Sequence, residues 1–137
     1  MASSDALPGP RRPPRPLSPH LSIYRVTMTM AMSIAHRISG AALYLGVLLL
    51  AWFLIAASTD AATFGMFSAF IESFVGRLIL FLFSWALFHH LIGGLRHIIW
   101  DAGYGLDAPL RDQLAWTTLI GGFALTIVVW AIGYAVR

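Results

Sequence analysis

Residues 89–101 read HHLIGGLRHIIWD and close a run that is otherwise apolar. Three histidines, an arginine and an aspartate share that stretch with two adjacent glycines. Helical positions four and seven apart return to nearly the same face. His90, Gly94 and His97 therefore make one stripe, with Gly93 beside it and Asp101 continuing the line. Two chemistries suit an imidazole with glycine one turn away. Imidazole nitrogen ligates haem iron, and glycine removes the side chain that would collide with a flat macrocycle. Farther along the stripe, Arg96 and His97 are placed to meet acidic propionates. Alternatively, glycine permits close helix packing and histidine hydrogen-bonds across to a neighbouring helix. Spacing alone leaves both open. His89 points about 100° away from His90 and reads as a packing or interhelical hydrogen-bonding residue.

A second constellation is SIAHRISG, residues 33–40. Ser33 and Arg37 are four apart and share a face, with His36 adjacent to Arg37 and three from Ser33. A hydroxyl and a guanidinium on one face can hydrogen-bond a carbonyl oxygen of a small ligand. The alternative is an arginine snorkelling to lipid headgroups. The two clusters lie at the same depth on neighbouring helices, which favours a shared site.

The elements that position these residues follow from composition. The chain has 137 residues, of which 58% are hydrophobic and only 11% charged, and its mean hydropathy is +0.76. A water-facing domain carries roughly 25% charged residues, so the fold class is an all-α membrane protein. Cysteine is absent, which excludes thiolate zinc sites and iron–sulfur ligation by this chain. All nine basic residues are arginine, and the net charge of +3 is too small to argue for nucleic acid. About 20 apolar residues cross a bilayer, and three such runs predict transmembrane helices at about 31–58, 76–101 and 113–136. Residues 61–76 between the first two are either a short amphipathic segment in the interface or an irregular loop.

Residues 1–19 hold six of the seven prolines and three arginines. They predict an extended Pro/Arg-rich arm ahead of a transmembrane domain at 20–137. The arm has no apolar core region, so it is not a secretory signal, and it is short for a mitochondrial transit peptide. The shortness favours a bacterial inner (cytoplasmic) membrane over a mitochondrial one. Seven arginines lie toward the N-terminal side, Arg96 and Arg111 among them near the second loop, and two, Arg77 and Arg137, toward the other. The positive-inside rule then puts the N-terminus in the cytoplasm and the C-terminus outside. The second helix runs inward, and His90 lies eleven residues before Asp101, roughly 16 Å deep and near the midplane.

These residues resemble the large cytochrome b membrane-anchor subunits of succinate dehydrogenase, respiratory complex II. RPLSPHLSIY (15–24) is similar to the opening motif of the mitochondrial and alphaproteobacterial branch. SIAHRISG matches the S-x-x-H-R-x-[ST]-G signature, and HLIGGLRHIIWD (90–101) matches H-x-x-x-G-x-R-H-x-x-x-D. The resemblance implies that His90 is the axial ligand of haem b, with Gly94 packing against the haem. It places His36, Arg37 and His97 in the propionate region. Ser33, Arg37 and, more weakly, Ile34 fall at the ubiquinone site. It further implies a flavoprotein subunit oxidising succinate and an iron–sulfur subunit passing electrons to ubiquinone, with no succinate site or catalytic residue on this chain. A second, small membrane-anchor subunit has to supply the other haem ligand, because His89 cannot reach the same iron from the same helix. Two alternatives share this topology: a haem-free anchor that docks soluble redox subunits, and a fumarate reductase anchor. A proton-conducting transporter or channel would need a polar stripe that the third span does not supply.

Overall fold

The computed structural model describes residues 23–136. The expected N-terminal arm and most of RPLSPHLSIY lie outside the described residues. Four helices account for nearly all of the rest: α1 (Met28–Thr59), α2 (Ala61–Glu72), α3 (Phe74–Asp101) and α4 (Ala108–Ala135). There is no strand among the described residues. α1, α3 and α4 are long and apolar enough to cross a membrane, and they correspond to the three predicted spans.

The boundaries are set by caps. The Thr27 hydroxyl accepts from Met30 N at 3.3 Å and opens α1. Asp60 accepts from Thr63 N at 2.8 Å and from Thr63 Oγ1 at 3.0 Å, ending α1 and starting α2. The Ser73 hydroxyl accepts from Gly76 N at 3.0 Å and donates to the Phe70 carbonyl at 2.6 Å, which turns the chain from α2 into α3. These side chains satisfy backbone donors that a helix start leaves orphaned. The largest departure from expectation is α4, which begins at Ala108 rather than near 113. Pro109 suits a first helical turn, and Arg111 and Asp112 extend the helix beyond its apolar part. The 61–76 segment is mostly helical: α2 lies against the end of α1, with Trp52–Phe67 centroids at 5.1 Å and Phe53–Phe67 at 5.5 Å.

Glycines set the register of the bundle. A Cβ at Gly40 would meet the His90 ring, one at Gly46 the Phe83 ring, and one at Gly93 the His36 ring. Residue numbers rise on α1 as they fall on α3, so the two helices are antiparallel. On the other flank of α3, a Cβ at Gly122 would come within 3.1 Å of His89 Cα, and Trp130 Nε1 donates to Ser84 Oγ at 3.3 Å. α4 is thus antiparallel to α3. The interior is unusual in content. Its buried apolar residues are Met32, Ala56, Ala86 and Ala115, while the largest fully buried side chains are Arg96, His89, Thr118 and Thr126. Small residues let the backbones approach closely, as expected where lipid supplies no hydrophobic drive between helices. The large apolar side chains point outward instead, Tyr44 at 80% and Leu48 at 69% exposure among them.

Candidate functional site

The antiparallel pairing of α1 and α3 brings three imidazoles together. His36 and His90 stack with ring centroids 3.9 Å apart and 12° between planes. His97 meets His36 edge-on at 5.2 Å and Trp100 at 5.3 Å. Two backbone bonds lock the stack. A carbonyl only accepts, so His90 Nδ1 donates to the His36 carbonyl at 3.1 Å, and His36 Nε2 donates to the His90 carbonyl at 3.2 Å. Ser39 Oγ donates to the same His36 carbonyl at 2.9 Å and lies 3.3 Å from His90 Nδ1. With its proton on Nδ1, His90 keeps a lone pair on Nε2, and that nitrogen makes no hydrogen bond among the described residues.

One turn along, a Cβ at Gly94 would meet nothing within 4 Å. The face at Gly94 is therefore open within the chain, whereas Gly93 is closed by His36. The residues present fit a haem: one imidazole nitrogen with a free lone pair, held from behind by a carbonyl, beside a stretch of bare backbone. A lone metal ion fits less well, since no group of three or more His, Cys, Asp or Glu side chains among the described residues converges on one point.

Ser33 and Arg37 lie on α1 near this cluster. Ser33 is half-buried, and Arg37 and Ile34 are exposed. Seven serine and threonine hydroxyls in the three spans donate to carbonyls of their own helix, and Thr29 lies 3.0 Å from Thr27 Oγ1. Ser33 is the exception: its hydroxyl has no partner among the described residues. Asp101 is exposed at the end of α3.

Sequence reasoning missed three features. Ser39 and Gly40, three and four residues after His36, share its face and shape the back of the His90 pocket, a periodicity that could have identified them. Trp100, which reads as one more apolar residue of the span, contacts both His97 and Arg96. Arg96, placed by its spacing with His97 to meet propionates, is buried at 2% exposure inside the chain's own bundle, a burial the spacing does not foretell. His89 is fully buried on the face toward α4, where neither ring nitrogen has a partner among the described residues.

Comparison with known proteins gives this arrangement its context. The family described as succinate dehydrogenase/fumarate reductase transmembrane subunit matches residues 11–129. The succinate dehydrogenase cytochrome b556 subunit of Paracoccus denitrificans is 40% identical over 114 residues, covering 83% of this chain and 88% of the relative. That of Rickettsia felis is 36% identical over 116 residues, covering 85% and 90%. The cytochrome b560 subunit of Reclinomonas americana is 33% identical over 130 residues, covering 86% and 85%. With its three long apolar helices and paired histidine-bearing faces, the chain belongs to the succinate dehydrogenase/fumarate reductase transmembrane subunit family, on its cytochrome b branch.

Proposed function

We infer that this chain holds haem b through His90 and forms part of the ubiquinone-reduction site of a succinate dehydrogenase. It does so in a bacterial cytoplasmic membrane, with its N-terminus on the cytoplasmic side. The observation that carries this reading is the state of His90. Metal-ligating histidines usually donate their other ring N–H to a carboxylate or backbone carbonyl, which fixes the tautomer and the ring orientation. His90 has that arrangement, with the His36 carbonyl as acceptor at 3.1 Å and open space over Gly94. When bound, haem supplies a one-electron redox centre. His36, Arg37 and His97 would hold its propionate side, and Gly94 would leave room for its ring.

Quinone reduction falls to α1. The Ser33 hydroxyl has no partner among the described residues, and Arg37 presents a cation on the same helical face. As the quinone head accepts electrons passed on from the iron–sulfur subunit, its oxygens gain negative charge. A preorganised donor and cation stabilise the reduced head more than the oxidised one, and Ile34 supplies apolar contact. The last proton comes from another chain, because no tyrosine or carboxylate accompanies Ser33 among the described residues.

Partners follow from stoichiometry and from the exposed surface. A six-coordinate haem needs a second axial ligand, and His89 faces α4, away from the His90 pocket. A second, small membrane subunit supplies that ligand and covers part of the apolar exterior. The iron–sulfur and flavoprotein subunits dock on the cytoplasmic side. The test is mild-detergent purification of the tagged chain. It should bring down a small membrane partner and both soluble subunits, with a b-type α-band on dithionite reduction. Co-purification of the partners without that band would refute the haem reading.

A further inference from the structure

Arg96 does what intramembrane arginines seldom do: it neither snorkels to the surface nor pairs. Its side chain is 2% exposed. Nε, Nη1 and Nη2 are all buried, and none has a hydrogen-bond partner among the described residues. The aspartates on the spans leave it alone: Asp101 is exposed at the end of α3, and Asp112 pairs with Arg111 at 3.5 Å. What holds the guanidinium is Trp100, with Cζ 5.0 Å from the indole centroid, a cation–π contact. The same indole is met edge-on by His97 at 5.3 Å, and His97 in turn lies 5.2 Å from His36. One aromatic ring therefore separates a buried positive charge from the imidazole cluster.

A guanidinium keeps its proton under protein conditions. In a low-dielectric interior its field is weakly screened by water or salt. An unpaired charge at membrane depth is costly and by default marks function, and a leucine would fill the same space without that cost. We propose that Arg96 is a fixed internal cation that raises the reduction potential of the cofactor bound through His90. It acts through its field, without touching the cofactor, so it is a tuning residue and not a catalytic one. This rests on the haem reading above. It differs from a propionate contact in that Arg96 faces the chain's interior.

The test is a mediated redox titration of the b-type α-band in the intact, purified complex, comparing wild type with R96Q, R96M and R96K at pH 6. The neutral variants should lose at least tenfold in the equilibrium constant for one-electron reduction, a midpoint about 59 mV lower, at unchanged haem content. R96K, which keeps the charge but not the planar fork, should stay near wild type. Wild-type midpoints in either neutral variant at normal haem content would overturn the proposal. So would an R96K midpoint equal to theirs, because a purely structural role would not distinguish charge from shape. R96M carries the comparison if R96Q assembles poorly. Absence of the α-band from the wild-type complex would instead be a failure of the haem reading.

Discussion

His90 and His36 are bound to each other's backbone. Each ring nitrogen that faces the other helix donates to the other residue's carbonyl, at 3.1 and 3.2 Å, and the rings stack between them at 3.9 Å. This reciprocal clasp sets the tautomer of both histidines and the register of α1 on α3. It also leaves them different nitrogens. His36 donates from Nε2 and keeps its lone pair on Nδ1, while His90 donates from Nδ1 and keeps its lone pair on the outer Nε2.

The first prediction concerns that division. His90→Ala should abolish the b-type α-band of the dithionite-reduced complex. His89→Leu, on the opposite flank of α3, should retain it. Absorbance per unit of purified complex decides this, and a band persisting in His90→Ala would remove His90 as ligand.

A second prediction separates the quinone from the succinate side. Ser33→Ala and Arg37→Ala should each lower quinone-linked turnover, or raise the apparent KM for quinone, by about tenfold or more. That is the scale of one hydrogen bond to a group gaining charge. Succinate oxidation with an artificial electron acceptor should be largely retained. If both activities fell together at normal complex content, the two residues would not belong to a quinone site.

The adjacent glycines should behave differently. A side chain at Gly93 collides with His36, so Gly93→Ala should disturb the α1–α3 contact and destabilise the assembled complex by about 1–3 kcal/mol, the usual range for overpacking. Gly94 faces open space within the chain. Gly94→Leu should therefore leave the chain's own packing intact and lower the haem-to-protein ratio. Thermal inactivation and pyridine haemochrome measurements read the two effects separately. Equal haem loss from Gly93→Ala and Gly94→Leu would contradict the assignment of faces.

Asp60 gives a pH dependence at the far end of the bundle. The backbone N–H of Thr63, and then its hydroxyl, hold the Asp60 carboxyl below its ordinary value. A pKa lower in the folded state than in the unfolded one means that the cap's contribution is complete above the unfolded value. It is lost as pH falls through the folded value. Amide protection factors at the start of α2 should therefore fade at acid pH in the wild type. Asp60→Asn, a good cap with no charge to lose, should show no such fading.

Much of the architecture is legible in the residue order, because the bilayer imposes a simple rule. About 20 apolar residues must run together in a helix that satisfies its own backbone, and three such runs are visible. Element ends are less legible. α4 starts early because Arg111 and Asp112 continue the helix past the apolar part, and a reading based on hydropathy stops at the first charge. α2 reads equally as helix or loop, because it is short and is held by Trp52 and Phe53 on α1, contacts absent from its own sequence.

The same distinction governs the site. Which residue types are present, and which share a helical face, was determined by the sequence alone: His90 with Gly94 and His97, Ser33 with Arg37. Periodicity is local, and each residue's angle around its own helix follows from its number. What each face meets was decided only by the tertiary structure, because rotation and register between helices depend on contacts distant in sequence. Gly40 and Gly93 let α1 and α3 approach until His36 and His90 clasp, and Gly122 draws α4 onto His89. Spacing places Arg96 beside His97 but says nothing of its burial, and only the packed bundle holds that charge inside.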